Sequence, residues 1–341
     1  MVRLAKCFVF VVVAGAVVLS VTYRFSHLQT WWLELTRYAP FPIHLLVALV
    51  AVGVSFLLGR AWRLAALGGL VLVVTVIMGL VVARGDSGSG PFRLMTYNIK
   101  AYLARERSDG LEQIAQEVAR HDPDIVVMQD ANGVDEPPEE MAPEVRGLFG
   151  TRQVYGFGQY VVASRLPISN CRPGSMPFRG QAHSYVQCTV LVAGTEVDLV
   201  TAHFVSPRAG LNAARRERLK GLGEWQRNFL DRLTQSRKLA ADLAGRPAHT
   251  TRPLIVAGDL NSLESSPVVR SLLDIGLRDA FSSAGLGYGY TQGHALRPGI
   301  SFLRIDHILV SATLGVSRCF VGGSEASEHR PVIADLLVRR E

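Results

Sequence analysis

The chain has 341 residues, of which 48% are hydrophobic and 19% charged, and its mean hydropathy is +0.21. This composition is too apolar for a disordered chain and more apolar than an ordinary soluble enzyme, so a part embedded in a membrane is expected. The net charge of +7 does not by itself indicate a nucleic-acid partner, because residues 1–90 hold seven basic and only two acidic side chains, which flank apolar segments.

Three apolar stretches, residues 7–23, 43–59 and 64–83, are each long enough to cross a bilayer as a helix of roughly 26–30 Å. We therefore predict that residues 1–84 form a membrane region with about three transmembrane helices. The first stretch alone is compatible with a signal peptide. The two stretches that follow it, and the lack of a clear small-residue cleavage site, favour an anchor instead.

The basic residues beside these stretches predict how the chain crosses the membrane. Arg3 and Lys6 precede the first stretch, and Arg60 and Arg63 lie in the short second loop, so both places are expected on the cytoplasmic side. Three crossings then place the rest of the chain outside the cytoplasm, although Arg84 after the third stretch counts against this orientation. We predict an integral protein of a bacterial-type inner or plasma membrane with an extracytoplasmic domain.

Residues 85–91 are rich in glycine and serine, which predicts a flexible linker before a domain at 92–341. Short β-like runs with few intervening helices predict that this domain is of the α+β class, a layered sandwich. The predicted strands are 92–98, 125–129, 159–164, 185–192, 197–202, 254–257, 305–310 and 332–338. The predicted helices are 111–120 and 267–275, and residues 211–243 show apolar residues near helical spacing.

The four cysteines are too few for a disulfide scaffold and show no paired spacing typical of a metal site. Cys171 and Cys188 fall on what read as neighbouring strands. They either form a disulfide, if the compartment is oxidising, or remain two buried thiols.

Polar side chains repeatedly stand at the ends of apolar strands, where a rigid sheet can hold them at one edge. A single such residue is commonly a turn aspartate or a core histidine with its hydrogen bonds satisfied. Together, however, they are all of catalytic or metal-ligand type, which favours one shared site. These residues are Asn98, Asp130, His203, Asp259, Asn261, Asp306, Glu328 and His329.

The motifs around these residues resemble the endonuclease/exonuclease/phosphatase superfamily of DNase I-like proteins. That superfamily includes nucleases, inositol-polyphosphate phosphatases and neutral sphingomyelinases. No single motif is specific, but they occur in the family's order and span nearly the whole predicted domain. The matching stretches are 95–98, 124–130, 201–203, 258–261, 304–307 and 327–331.

The resemblance implies a four-layer α/β/β/α sandwich that hydrolyses a phosphoester with an activated water and Mg²⁺ or Mn²⁺. Such chemistry needs a cation on the phosphate oxygens, a base for the water and stabilisation of the leaving oxygen. By resemblance, Asp130 is the main metal ligand with Asn98 beside it, and His329 is the general base, oriented by Asp306. Asp259 then positions the water or handles a proton.

By the same resemblance, Asn261 and His203 hold the scissile phosphate. The sequence departs from the family pattern at two positions. Asp130 is one methylene shorter than the usual glutamate, and Glu328 is one methylene longer than the usual aspartate. We expect Glu328 to act as a further metal ligand that supplies the missing reach; the alternative is a weakened site.

Three other histidines are weaker candidates for site residues. His307 follows Asp306 in a strand, so its side chain is expected on the opposite face in a structural role. His183 and His294 lie in loop-like surroundings, where they either contact substrate or are simply exposed.

Nine basic residues against three acidic ones between residues 208 and 238 predict a polyanion-binding surface close behind His203, or else only a solvated helix face. Phosphodiesters are therefore the favoured substrates, either nucleic acid or a phospholipid headgroup brought close by the membrane anchor. A phosphomonoester remains an alternative. A second class of function is a catalytically weakened anchored module that only binds polyanions. Beyond the substrate and the lipid bilayer, no protein partner is inferred.

Overall fold

A computed structural model gives the fold of the chain. Its two compact units are Met1–Val81 with Ser265–Pro267, and the rest of the chain. The structure describes residues 1–25, 30–88, 90–134, 143–177, 179–217, 219–245, 252–293 and 300–339. His294, named above, lies outside them.

The first unit is helical. Its helices are α1 (Val2–Arg24), α2 (Trp31–Arg37), α3 (Phe41–Ser55) and α4 (Arg60–Leu72), and α4 continues as a π-helical turn, Val73–Ile77. Among the described residues, α1 and the segment Arg60–Ile77 are each long and apolar enough to cross a membrane. The second predicted span, 43–59, falls mainly on α3, which passes the same test only together with α2, and the two helices are bent by 81° at a short break.

Few side chains of the first unit are internal. Val9, Leu58 and Ala66 form a small buried cluster, whereas large apolar side chains such as Phe10 and Leu46 are about two-thirds exposed, at 64% and 63%. Glu34 and Arg37 form a fully buried ion pair at 3.2 Å.

The second unit contains most of the strands. They are β1 (Val81–Val82), β2 (Phe92–Asn98), β3 (Ile125–Gln129), β4 (Gln153–Phe157), β5 (Tyr160–Ser164), β6 (Ile168–Ser175), β7 (Ser184–Val192), β8 (Thr195–His203), β9 (Leu254–Asp259), β10 (Leu277–Asp279), β11 (Leu286–Gly287), β12 (Asp306–Ser311), β13 (Leu314–Val321) and β14 (Val332–Val338). Its helices are α5 (Ala101–Ala104), α6 (Gly110–His121), α7 (Pro143–Phe149), α8 (Arg208–Glu217), α9 (Leu222–Ala244), α10 (Pro267–Leu273) and α11 (Ala280–Ala284).

Twelve of these strands build two six-stranded sheets, and β1 and β11 pair separately. The order of the first sheet is β13-β14-β2-β3-β5-β4, and that of the second is β10-β12-β9-β8-β7-β6. In each sheet one central pair is parallel, β2 with β3 and β8 with β9, and the other neighbouring strands are antiparallel. The two sheets therefore repeat one arrangement, in which the strands that carry the site lie at the centre.

The alternation of side chains along β2 explains the layering. Met95 and Tyr97 point outward and pack with residues of α6 and α7 in one core cluster. Asn98 points the other way, toward the second sheet, where its side chain reaches Asp259. Both faces of the central strands are buried, which is why they read as nearly continuous apolar runs.

The second sheet has its own helical cover. Gln235 of α9 accepts a hydrogen bond from the backbone N–H of Val205 directly after β8, and the Tyr185 hydroxyl on β7 donates to Asp242. Trp225 and Phe229 on the buried side of α9 are 0% exposed. Helices thus cover the outer face of each sheet, which confirms the predicted four-layer α/β/β/α sandwich.

The segment predicted at 211–243 is two helices, not one. Helix α8 ends at Glu217, and α9 begins at Leu222 after a turn at Gly221. A Cβ at Gly221 would lie 2.0 Å from the carbonyl oxygen of Ala213, so only glycine allows this close packing of the two helices.

The predicted flexible linker is held in place at its start. The Asp86 carboxylate accepts hydrogen bonds from the backbone N–H of Val316 and from the guanidinium groups of Arg278 and Arg339. These contacts lower the pKa of Asp86 to about 2, the hydrogen bond from Arg278 contributing most. These contacts hold the linker against β13 at Asp86, although the linker is rich in glycine.

Cys171 on β6 and Cys188 on β7 form a disulfide. Of the two alternatives left open by the sequence, the structure has the disulfide. Cys7 and Cys319 are free thiols, the first exposed and the second buried.

Candidate active site

The topology brings the polar strand ends to one edge of the two sheets. Asp259 at the end of β9 lies beside His203 at the end of the parallel strand β8. Asp306, the first residue of the antiparallel strand β12, is the register partner of Asp259. His329 precedes β14, which runs antiparallel to β2, and so it stands near the end of β2 at Asn98.

His329 and Asp306 form a buried pair. The His329 Nδ1 atom lies 2.9 Å from Asp306 Oδ2, and the Nε2 atom is directed at Asp259, 3.8 Å from its Oδ2 atom. Burial alone would lower the pKa of His329, but the charges of Asp306 and Asp259 outweigh it and raise the pKa above its ordinary value. The imidazole is thus oriented and made more basic, as a general base requires.

Asp259 is the centre of the hydrogen-bond network. Its Oδ2 atom accepts a hydrogen bond from Asn98 Nδ2, and its Oδ1 atom accepts one from the backbone N–H of Asn261. Burial and the charge of Asp306 raise the pKa of Asp259. A carboxyl of raised pKa between two histidines is suited to accepting and returning a proton.

His203 is oriented by a residue that the sequence did not single out. Its Nδ1 atom lies 2.6 Å from Gln159 Oε1, an acceptor, so this nitrogen carries the hydrogen. The Nε2 atom lies 3.5 Å from Asp259 Oδ2. The Asn261 side chain donates to the backbone carbonyl of Phe204 and so fixes the loop after β8.

Asp130 lies at the mouth of the same site. It follows β3 with a left-handed backbone (φ +50°), and its Oδ2 atom is 2.5 Å from Lys100 Nζ. The Oδ1 atom is 3.6 Å from His203 Nδ1. Burial would raise the pKa of Asp130, but the charges of His203 and Lys100 outweigh it and lower the pKa. Asp130 is therefore held as a carboxylate.

Glu328 has a different partner from the one predicted. Its Oε2 atom accepts a hydrogen bond from Arg208 Nη2 at 3.1 Å, at the start of α8. Its longer side chain reaches this arginine outside the buried network. The structure therefore does not support Glu328 as the metal ligand that compensates for the short side chain of Asp130.

A profile of the Endonuclease/Exonuclease/phosphatase family matches residues 95–329. This chain belongs to that family. The match covers all the residues that converge at the strand ends, from Asn98 to His329. Members of the family are typically phosphoester hydrolases that use a divalent metal ion.

Solved structures of the family share the fold. An endonuclease/exonuclease/phosphatase from Bacteroides vulgatus has a TM-score of 0.55 at 16% identity, covering 74% of this chain and 100% of its own. The human nocturnin catalytic domain with bound sulfate has a TM-score of 0.52 at 17% identity, covering 74% and 96%. A mannosyl-6-phosphatase from Bacteroides thetaiotaomicron has a TM-score of 0.51 at 17% identity, covering 72% and 99%. No curated protein sequence matches the chain.

The residues present fit the divalent ion that the family uses. Among the residues described, Asp259, Asp306 and His329 offer ligand atoms within 4.8 Å of one another. The Oδ1 atom of Asp306 is buried and accepts no hydrogen bond from any described group. Together with the oxygens of Asn98 and Asp130, this set is rich in the hard donors that Mg²⁺ and Mn²⁺ prefer.

The structure assigns different places to the remaining candidates. His307 points to the opposite face of β12, where its Nδ1 atom lies 2.7 Å from Asp279, so the structural role predicted for it is confirmed. His183 lies close to the site, with Nε2 2.7 Å from the backbone carbonyl of His203. In the basic segment, Arg232 is fully buried with its guanidinium 5.4 Å from the ring of Trp225, so neither belongs to a polyanion-binding surface.

Lys100 and Gln159 are the site residues that sequence reasoning missed. Neither lies at a position that the family motifs mark. Lys100 stands two residues after Asn98, and Gln159 directly precedes β5. Both could have been found by listing every polar residue within two positions of a strand end, on the strands that carry the motifs and on the strands next to them in the sheet.

Proposed function

We propose that this chain is a membrane-anchored, divalent-metal-dependent phosphoesterase that hydrolyses a phosphodiester with an activated water. The observation that carries the proposal is the buried pair of His329 and Asp306, with the free imidazole nitrogen directed at Asp259. A buried imidazole of raised pKa, oriented by a carboxylate, is the arrangement that general-base catalysis needs.

Each residue then has a task in the reaction. The Nε2 atom of His329 removes the proton from the attacking water, while Asp306 holds Nδ1 and stabilises the imidazolium that forms. The water oxygen bonds to phosphorus, the bond from phosphorus to the leaving oxygen breaks, and Asp259, a carboxyl of raised pKa, supplies the proton that the leaving oxygen takes up. His203 and Asn261 hold the scissile phosphate as its charge develops.

A divalent ion has its place in the same site. Asp130 and Asn98 would hold it, with the orphaned oxygen of Asp306 as a further donor. When bound, the ion supplies positive charge to the phosphate oxygens and lowers their repulsion of the nucleophile.

The surface beside the site favours a polyanionic substrate, either nucleic acid or a phospholipid headgroup. Two of the three acids in the basic segment, Glu224 and Asp231, accept hydrogen bonds from Arg179, which lies outside the segment. Arg179 thus balances part of their charge, although Glu224 also pairs with Arg227 of the segment, and exposed basic side chains remain in excess. The exposed basic residues of the segment in the described chain are Arg208, Arg215, Arg216, Lys220, Arg227, Arg237 and Lys238.

The first unit supports membrane anchoring. Helix α1 and the segment Arg60–Ile77 carry apolar side chains that face outward, since only 17% of each span window is buried. Exposing that much apolar surface to water is unfavourable, so a lipid environment suits this unit. The disulfide of the second unit supports placing that unit outside the cytoplasm.

The test compares the purified full chain in lipid nanodiscs, wild type beside His329→Gln. Hydrolysis of plasmid DNA, RNA, a phospholipid diester and a phosphomonoester is measured with Mg²⁺ and with a chelator. We expect turnover of one diester that needs the metal and falls about 10²–10⁴-fold in His329→Gln.

His121→Gln is the matched control, because this histidine pairs with Glu117 on α6 in the outer helical layer. It should retain wild-type turnover. Turnover of the phosphomonoester alone would mean that the substrate is a phosphomonoester and not a phosphodiester. Folded wild-type protein that hydrolyses none of the four would overturn the enzymatic proposal in favour of a polyanion-binding module.

A further inference from the structure

Lys100 forms an ion pair with Asp130, the carboxylate proposed above as a ligand of the metal ion. It lies after β2 with a left-handed backbone (φ +45°), and its own N–H donates to Asn98 Oδ1 at 3.3 Å. Its Nζ atom is 2.5 Å from Asp130 Oδ2, and its side chain is only 14% exposed. Because β2 and β3 are parallel neighbours, the residues that follow them stand side by side.

The ammonium of Lys100 interacts with more than one group of the site. Burial would lower the pKa of Lys100, but the negative charges of Asp130 and Asp259 outweigh it and raise the pKa. The same ammonium opposes the protonation of His329. Lys100 thus supplies a fixed positive charge among the carboxylates and the base.

A divalent ion bound at Asp130 would compete with this ammonium for the same carboxylate. Magnesium binds carboxylate oxygens at about 2.0–2.1 Å and demands near-ideal geometry. Two cations on the oxygens of one carboxylate would repel each other strongly, so metal binding at Asp130 would displace Lys100. The displaced ammonium stays within reach of the site because its backbone is held beside Asn98. Phosphate oxygens are its natural new partners.

We propose that Lys100 is a positioning residue that couples metal binding to phosphate binding: it neutralises Asp130 in the metal-free site and, once displaced by the ion, binds a phosphoryl oxygen of the substrate. The inference rests on the proposed function for the identity of its anion. Coupling of this kind means that phosphate binds well only to the metal-loaded site.

The first experiment measures Mg²⁺ binding to the full chain in nanodiscs by titration calorimetry, without substrate. We expect Lys100→Met to bind Mg²⁺ about tenfold more tightly than wild type, and Lys100→Arg, which keeps the charge, to bind it within about twofold of wild type. Arg252→Met is the matched control, because Arg252 also pairs with an acidic residue, Glu196, but at the end of β8 opposite to His203. It should leave Mg²⁺ affinity unchanged.

The second experiment titrates inorganic phosphate at saturating Mg²⁺. Lys100→Met should bind phosphate about tenfold more weakly than wild type, although it binds the metal more tightly, and Lys100→Arg should recover part of the loss. A packing role for Lys100 would weaken both ligands together. Thermal unfolding of each variant shows that the comparison is made on folded protein, and Lys100→Gln replaces Lys100→Met if the latter is unstable.

The outcomes separate this proposal from the proposed function. Opposite shifts in metal and phosphate affinity support the role of Lys100 even if no substrate of the hydrolysis panel is turned over. Mg²⁺ affinity that is unchanged or weaker in folded Lys100→Met overturns it even if wild type is an active phosphodiesterase. Failure of both wild type and Lys100→Met to bind Mg²⁺ also overturns it.

Discussion

Asp306 and His307 are adjacent on β12, yet they serve two separate networks. Alternation along the strand sends Asp306 to His329 on the inner face and His307 to Asp279 on the outer face. His307 also lies 2.9 Å from the backbone carbonyl of Ser262 through Nε2. Strand β12 therefore carries Asp306, the carboxylate proposed to orient the base His329, and directly after it His307, which makes a buried structural contact.

The raised pKa of His329 predicts the acid side of the pH profile. The base acts only when its imidazole is neutral, so activity is lost as pH falls through a pKa above the ordinary 6.5. Asp306→Asn removes the nearest charge that raises this pKa. We expect the inflection of log(kcat/KM) against pH to move to lower pH, and the plateau to fall about 10–100-fold.

Asp274→Asn serves as the control for this profile, because Asp274 is exposed and pairs only with Arg270 on α10 among the described residues. Its profile should overlay that of the wild type. An Asp306→Asn inflection at or above the wild-type pH would show that Asp306 does not set the basicity of His329.

The network on the other face of β12 predicts a stability effect without a catalytic one. Asp279 is buried and contacts His307 and Arg304. Burial would raise the pKa of Asp279, but Arg304 and His307 outweigh it and lower the pKa. The stabilisation is therefore present above the ordinary carboxyl pKa of 3.8 and is lost as pH falls below it.

We expect Asp279→Asn to lower the free energy of unfolding by about 3 kcal/mol, because it removes the buried carboxylate that pairs with Arg304 and leaves this guanidinium with the partly exposed Glu264. Thermal unfolding at pH 7 measures the effect, and the difference from wild type should shrink toward pH 3. Residual folded enzyme should keep its kcat. A loss of kcat at unchanged stability would place Asp279 in the reaction instead.

At the scale of elements, the central strands were predictable and the edge strands were not. Strands β2, β3 and β14 have the predicted bounds, because both of their faces are buried and their sequences are continuous apolar runs. The edge strand β4 is half-exposed, and β13 is interrupted by a bulge, so neither shows a clear pattern. Sequence reasoning placed Cys171 on a strand without giving bounds for β6, and it missed β10 and β11 as strands and the short helices α5, α7 and α11.

The disulfide between β6 and β7 predicts how an edge of the second sheet is stabilised. It closes a loop of 17 residues, for which chain-entropy arguments give about 3 kcal/mol. We expect the double variant Cys171→Ser/Cys188→Ser to unfold at a temperature lower by about 5 °C or more, and reductant to lower the wild-type Tm similarly.

Cys319→Ser is the control for this effect, since Cys319 is a buried free thiol on β13. It should keep the full response to reductant, whereas the double variant should show none. A wild-type Tm that does not respond to reductant, in protein whose thiols then titrate as four, would contradict the stabilising role.

At the scale of the whole molecule, the positions of strand ends predicted which residues come together, but not which of them contact one another. Seven of the eight predicted residues lie in or beside the buried hydrogen-bond network, because the two-sheet topology places strand ends together. Glu328 lies outside this network because its longer side chain reaches Arg208. Lys100 was missed because its contact with Asp130 depends on a left-handed backbone and on which strands are neighbours, and the family motifs mark neither.

Under the proposed membrane anchoring, the number of crossings decides on which side of the membrane the second unit lies. With the N-terminus inside, two crossing helices would return the chain to the cytoplasm, whereas a third crossing by the bent pair α2 and α3 places the second unit outside. The disulfide favours the outer side, where it persists. We therefore predict that the bent pair completes a crossing.

Cysteine labelling of cells that express the chain tests this prediction. In a Cys7→Ser background, Ser87→Cys, exposed near the start of the second unit, should react with a membrane-impermeant maleimide on intact cells. Leu57→Cys, 75% exposed in the turn between α3 and α4, should react only after lysis. Labelling of Ser87→Cys only after lysis would mean two crossings and a cytoplasmic active site, and substrates would then have to be sought among the phosphodiesters of the cell interior.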